Sequence, residues 1–382
     1  MNKPAELYIG LMSGTSIDGI DVALVEFTED RCKLLQVYNH SIDARIKQKL
    51  VEISSPVSDF EIRLPKRIEL LAELDVIMGN YFADAVNRLI DIHQIESDKI
   101  VAIGSHGQTI RHRPSNQSAF TMQIGDANII AEKTGIQTVA DFRRSDIAAG
   151  GQGAPLAPAF HNAILRSRLE SRIILNLGGI ANITYLPKDE SQPVIGFDTG
   201  TANTLLDAWY LTHHSDTKDE FDNDSQFAQQ GHIHQKLLNK LLEDPFFQQS
   251  PPKSTGREQF SLDWLKKQID EIQDPITISD VQRTLVEFTI KTIAIAITKL
   301  EIENYKIFAC GGGMHNRFLL DQLSKELRQP IQTTNDIGID GDYLEAMTFA
   351  WLAKQRLERQ PGNLPSVTGA SKKKVLGCVY LP

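Results

Sequence analysis

Several short runs of this sequence set glycine beside hydroxyl, amide and carboxyl groups, the combination needed to grip an anion or activate a hydroxyl. The first is Met12-Ser13-Gly14-Thr15-Ser16-Ile17-Asp18-Gly19-Ile20-Asp21. Gly14 and Gly19 permit a tight turn whose backbone N–H groups converge on an anion. Thr15 and Ser16 add hydroxyl donors, and Asp18 or Asp21 could hold a divalent cation through water. It is not a Walker loop: no Gly-Lys-Ser/Thr follows, and the flanks read strand to strand. Because Gly, Ser and Asp are ordinary turn formers, a plain hairpin is the competing reading. The counterpart is Asn176-Leu177-Gly178-Gly179-Ile180-Ala181-Asn182, a second glycine hairpin. Phe197-Asp198-Thr199-Gly200-Thr201-Ala202-Asn203 follows, in which an acidic residue ends an apolar strand and a Gly/Thr turn opens a helix. Asp198 is there either a general base or a cap for the helix starting near Ala202.

Cys310-Gly311-Gly312-Gly313-Met314-His315-Asn316 lies between a strand and a helix, and its glycines leave room for a flat ligand or phosphate at a helix N-terminus. A tight connection seldom needs Gly311, Gly312 and Gly313 in a row. Cys310 reads as a small buried hydrophobe. Ser105-His106-Gly107-Gln108-Thr109 forms a polar tip suited to a polyhydroxylated ligand, or to its own loop. Asp141, Arg143, Arg144 and Asp146 read equally as ligand contacts or as a structural ion-pair network. His232-x-His234 resembles a metal-ligand pair but has no third ligand, so it reads as solvent-facing. Lys253-Ser254-Thr255-Gly256-Arg257-Glu258 either holds a polar ligand or links two helices. Glu345 is a ligand contact or an acid favoured in the first turn of the last long helix.

The elements that must carry these groups follow from apolar periodicity. Strands are expected at Leu7–Leu11, Ile20–Phe27, Lys33–Ser41, Ile100–Gly104 and Thr138–Ala140, with helices over Glu61–Asp91 and Asp126–Lys133. The second half repeats the grammar: strands Arg172–Leu177, Ile180–Leu186, Val194–Phe197 and Lys306–Ala309, and helices Asp280–Glu301, Asn316–Leu327 and Tyr343–Arg359. Two α/β halves, each opening on a glycine hairpin, imply an internal duplication about a cleft. The 382 residues suit two to three domains. A net charge of -9 argues against a fold-wide basic surface for nucleic acid. No apolar run approaches the roughly 18 residues of a membrane span, and no signal peptide is evident. Cys32, Cys310 and Cys378 offer no disulfide framework and point to a reducing compartment.

Taken in order along nearly the whole chain, the runs from Met12, Ser105, Gly150, Asn176, Phe197, Pro252 and Cys310, together with Asp141-Phe142-Arg143, resemble the anhydro-N-acetylmuramic acid kinase family. The resemblance implies two ribonuclease-H-like lobes of the actin/hexokinase-like ATPase superfamily: residues 1–140, residues 141–365, and a tail, 366–382, packing back on the first lobe. It implies a cytoplasmic, homodimeric enzyme of peptidoglycan recycling that uses ATP and Mg2+. Such an enzyme opens the 1,6-anhydro ring of anhydro-N-acetylmuramic acid by hydrolysis and phosphorylates O6. On this resemblance Asp198 is the base, and Gly14, Thr15, Ser16, Ile17, Asp18, Gly19, Ile20, Asp21, Gly178 and Gly179 bind phosphates. Gly311 to Gly313 border the adenosine, His106, Gln108 and Glu345 meet the sugar, and Asp21 and Asp198 hold Mg2+ through water. The chain departs from the family pattern at Thr201-Ala202, where Pro-Gly is common, and at Ser225, where glycine is usual. The rival readings are another sugar kinase of the superfamily and a non-enzymatic actin-like nucleotide switch.

Overall fold

The computed structural model describes residues 4–14, 17–29, 31–54, 64–114, 117–214, 220–256 and 259–382. In chain order, the first strands and helices are β1 (Glu6–Ser13), β2 (Gly19–Phe27), β3 (Cys32–Ser41), α1 (Ala44–Ser54), α2 (Leu64–His93), β4 (Ile100–Arg113), β5 (Phe120–Ile124), α3 (Ala127–Thr134), β6 (Thr138–Ala140), α4 (Arg144–Ile147) and α5 (Ala157–Ile164). Then come β7 (Ser171–Leu177), β8 (Ile180–Leu186), β9 (Ile195–Thr201), α6 (Asn203–His213), α7 (Gln235–Leu242), α8 (Leu262–Asp270), α9 (Ile278–Thr298), β10 (Tyr305–Cys310), α10 (Arg317–Leu327) and β11 (Ile331–Thr333). The chain closes with α11 (Leu344–Leu357), α12 (Pro365–Thr368) and β12 (Cys378–Tyr380).

These elements form two units. One comprises Met1–Leu165 with Tyr343–Pro382, the other Arg166–Asp342. The division corrects the expected boundaries at 140 and 365: α5 and α11 both pack in the first unit, as the Phe160–Trp351 ring contact shows. Its sheet runs β12-β6-β4-β1-β2-β3, with β5 on β4. β1, β2 and β3 make an antiparallel meander, whereas β4 lies parallel to β1 and β6 parallel to β4. The second sheet, β11-β10-β7-β8-β9, has the same plan: a β7-β8-β9 meander, with β10 and β11 added in parallel.

In the first unit successive residues of β1 serve opposite faces, as a pleated strand requires. Ile9 and Leu11 pack in one cluster with Leu74, Met78 and Phe82 of α2. Between them Gly10 faces the other way, and its register partner on β4 is Gly104. A Cβ on Gly10 would strike the Ala346 carbonyl, and one on Gly104 the Phe349 carbonyl. The two glycines thus form a trough, free of side chains, in which the α11 backbone lies, with Ala346, Ala350 and Ala353 buried over it. In the second unit Ile173 and Leu175 of β7 and Ile307 of β10 pack with Leu285, Phe288 and Ile293 of α9.

Two expectations follow. Gly104→Ala forces α11 off the sheet and should cost about 2–3 kcal/mol, read as a lower urea midpoint. His161 of α5 is fully buried, and burial pushes its pKa down to about 3. The unfolded chain binds that proton near its ordinary 6.5 and the folded chain does not. Stability is therefore lost as pH falls from 6.5 towards 3, at up to about 1.4 kcal/mol per pH unit. His161→Gln should flatten the slope of unfolding free energy between pH 6.5 and 5.

Candidate active site

In the first unit the Ser13–Gly19 hairpin is tied to β4. The Ser13 hydroxyl donates to Gln108 Oε1 at 2.7 Å and to the Gly19 carbonyl at 3.1 Å, and Gln108 Nε2 donates to the Gly14 carbonyl at 3.2 Å. Gln108 is fully buried, and its amide supports the hairpin. Thr15 and Ser16 lie outside the described residues. Ile17 donates its N–H to the Gly14 carbonyl and stands at φ +59°, a region β-branched residues rarely enter. It is buried, as is Ile20. Asp18 pairs with Lys47 at 2.7 Å, and Asp21 Oδ1 accepts from Asn39 Nδ2 at 2.7 Å.

Residues 105–109, expected as a loop tip, are strand: β4 continues to Arg113 and turns back into β5. The β1–β4 register is irregular between Leu11 and Ser13, opposite His106 and Gly107. His106 Nε2 accepts from Arg143 Nε at 3.0 Å, its ring centroid lies 4.7 Å from Phe349, and burial and the guanidinium hold its pKa well below the usual value. The ring is therefore neutral at physiological pH. Arg143 also donates to the Gly153 carbonyl at 2.8 Å and feels the charges of Glu345 and Asp146. Glu345 is exposed in the first turn of α11. Asp146 is structural: buried, it accepts from Gly153 N–H, Asn363 and Thr368.

In the second unit the carbonyls of Gly178 and Gly179 accept the N–H groups of Ala202, Asn203 and Thr204 at 3.0–3.2 Å. The glycine turn therefore satisfies orphan donors at the α6 N-terminus. Gly311 and Gly313 are needed for packing, since a Cβ on either would collide with the Asn176–Leu177 strand end. Gly311 also stands at φ +76°; Gly312 alone faces open space. Gly312 and Gly313 open a short 3-10 turn, Gly312–His315, that leads into α10, in keeping with the expected glycine turn between strand and helix. Cys310 is buried.

Asp198 does not end its strand. β9 runs on to Thr201, with Asp198 opposite Asn182 and Gly200 opposite Ala181, so Thr199 is a bulge residue. Ala202, not Asp198, is the α6 N-cap, which removes the capping alternative. The Asp198 N–H donates to the Lys253 carbonyl at 3.1 Å, and its Oδ2 accepts from Thr255 N–H at 2.9 Å. Burial pushes its pKa up to about 7, against the opposing pull of Thr255 N–H and the Lys253 charge. That is the range for a base working near neutrality. Composition had not marked Lys253 as its neighbour; only the Pro-Lys-Ser-Thr-Gly run carried a signal. Among the described residues no three His, Cys, Asp or Glu side chains are placed to hold a metal. His232 and His234 serve locally: His232 N–H donates to Asp280, and His234 Nδ1 accepts from Leu237 N–H at the start of α7.

Both units repeat one strand order, a three-stranded meander extended by two parallel strands, each with a glycine turn between its first two strands. That shared plan makes the chain a duplicated, two-unit α/β fold. The chain belongs to the anhydro-N-acetylmuramic acid kinase family, whose model matches residues 6–382. Curated relatives of that name include one from Coxiella burnetii, 50% identical over 380 residues, covering 99% of this chain and 98% of the relative. One from Xylella fastidiosa is 50% identical, covering 99% and 97%, and one from Vibrio parahaemolyticus 46% identical, covering 98% of both.

Ser225, at the family's usual glycine, stands at φ +53°, and its hydroxyl accepts from Asn316 Nδ2 at 2.7 Å. The left-handed backbone explains the preference for glycine. Gly311→Ala should lower stability, whereas Gly312→Ala should leave the urea midpoint unchanged. A raised KM for ATP in Gly312→Ala alone is the result expected if the nucleotide lies against its open side.

Proposed function

We propose that this chain phosphorylates anhydro-N-acetylmuramic acid from ATP, with Asp198 as the base that opens the anhydro ring. The chain is a sugar kinase; the relatives' shared name and their full-length coverage support the substrate. The observation that carries the chemical assignment is the Asp198 carboxylate, half-buried on β9, one oxygen fixed by Thr255 and its pKa raised to about 7. Asp198 takes a proton from water as that water adds to the anomeric carbon. The C1–O6 bond breaks, O6 attacks the γ-phosphorus, and ADP leaves. One base thus couples two steps, without the paired carboxylates of ordinary glycosidases.

Positioning and charge neutralisation dominate phosphoryl transfer. Gly14 to Asp21 and Gly178 and Gly179 are assigned to the phosphates, and Gly312 to the adenosine. His106, kept neutral and oriented by Arg143, and Glu345 serve the sugar. Asp21 and Asp198 are assigned to Mg2+ held through water, an ion that usually keeps several waters and shares substrate phosphates. Bound there, Mg2+ would neutralise charge on the β- and γ-phosphates. The reading further places the enzyme in the cytoplasm as a homodimer.

Asp198→Asn should lower kcat by at least about 100-fold while ATP still binds, checked by steady-state rates and calorimetry. In oxygen-18 water the product should carry label at C1 and none in its phosphate ester. Faster turnover of reducing N-acetylmuramic acid than of the anhydro sugar would instead favour a plain hexose-type kinase, with Asp198 deprotonating a hydroxyl.

A further inference from the structure

The segment that grips Asp198 has little regular structure of its own. Residues 249–256 contain neither helix nor strand, yet Lys253 and Thr255 hold both the main chain and the carboxylate of Asp198. The segment must be anchored from elsewhere, and the Lys253 side chain does this. It is only 8% exposed, and its ammonium donates to the Phe246 carbonyl at 3.1 Å. The same ammonium stands 4.4 Å from the centroid of the Phe246 ring and 5.9 Å from that of Phe197. Phe246 belongs to a short 3-10 turn, Pro245–Gln248, whose next carbonyl, that of Phe247, accepts from Lys299 Nζ at 2.9 Å. The Phe246 and Phe247 rings pack with Phe260, and Phe247 also meets Phe288 of α9, so the turn is seated in the core. A continuous path therefore runs from the core, through the turn and the ammonium, to the carboxylate. Burying an ammonium is costly, and an apolar side chain of similar length would fill the space without that penalty. Packing alone does not account for a lysine here.

We propose that Lys253 is a positioning residue for the reaction: its buried ammonium, held on the Phe246 carbonyl and two aromatic faces, fixes the 253–255 segment that aims the Asp198 carboxylate. The inference rests on Asp198 being the base.

The test compares Lys253→Met and Lys253→Arg with Asp198→Asn in the full chain, recording melting temperature, kcat and both KM values. Lys253→Met should melt at or above the wild-type temperature. Its kcat should fall about 10- to 100-fold, the scale of a misaimed group, with KM for ATP and sugar unchanged. Lys253→Arg, which keeps a cation for the carbonyl and the rings, should recover part of kcat. Wild-type kcat in Lys253→Met would overturn the proposal. So would a loss of kcat accompanied by a lower melting temperature and a raised KM for ATP in both lysine variants, which would leave Lys253 a structural group. If Asp198→Asn turns over normally, the base assignment falls and this inference with it. If Asp198→Asn is inactive while Lys253→Met is normal, only the positioning role falls.

Discussion

The close approach of α11 to the first sheet is the constraint on which the first unit depends. Gly10 and Gly104 are paired across β1 and β4, and the helix backbone occupies the space their side chains would fill. This contact closes the core and also places chemistry. Phe349 of α11 lies against both His106 and Phe142, and Glu345, one turn earlier, lies within electrostatic reach of Arg143. A helix lifted by a methyl group would disturb the orientation of His106 and the surroundings of Arg143 together. The polar array in the middle of β4 is thus set by packing beneath it.

In the second unit the controlling balance is electrostatic. Burial raises the pKa of Asp198, while one backbone N–H and a lysine charge pull it down, and the result lies near neutrality. Neither pull acts through a direct ion pair at hydrogen-bond distance. The carboxylate is consequently oriented by a neutral donor and kept basic by its surroundings, as a proton acceptor should be.

Much of this was legible in the sequence because glycine hairpins and strand periodicity are local signals. The β8 and β6 boundaries, Ile180–Leu186 and Thr138–Ala140, match expectation, and the duplication implied by two glycine turns reappears as one strand order in both sheets. What local pattern could not show depended on partners distant in sequence. The run 105–109 looked like a loop because it is polar, yet it pairs with Ser13 and β5, and residues 105–108 are buried. Thr199 looked like a turn residue but is a bulge within a strand, settled by its pairing with β8. Gln108 and Lys253 carry polar groups whose purpose is visible only in what they hold: Gly14 and Ser13 for one, the Phe246 carbonyl for the other.

The two units also differ in how they can be made. The second is a continuous stretch, Arg166–Asp342, and every strand of its sheet is available once that stretch has been synthesised. The first is discontinuous: α11, which fills the Gly10–Gly104 trough, and β12, which pairs with β6, are translated after it. Until residues 363–368 emerge, Asp146 lacks the Asn363 and Thr368 donors that satisfy it. On a ribosome, where domains fold as units in the order they appear, the polypeptide therefore finishes its second unit first. The earliest-made sheet must wait, its trough open, for the last helix to arrive.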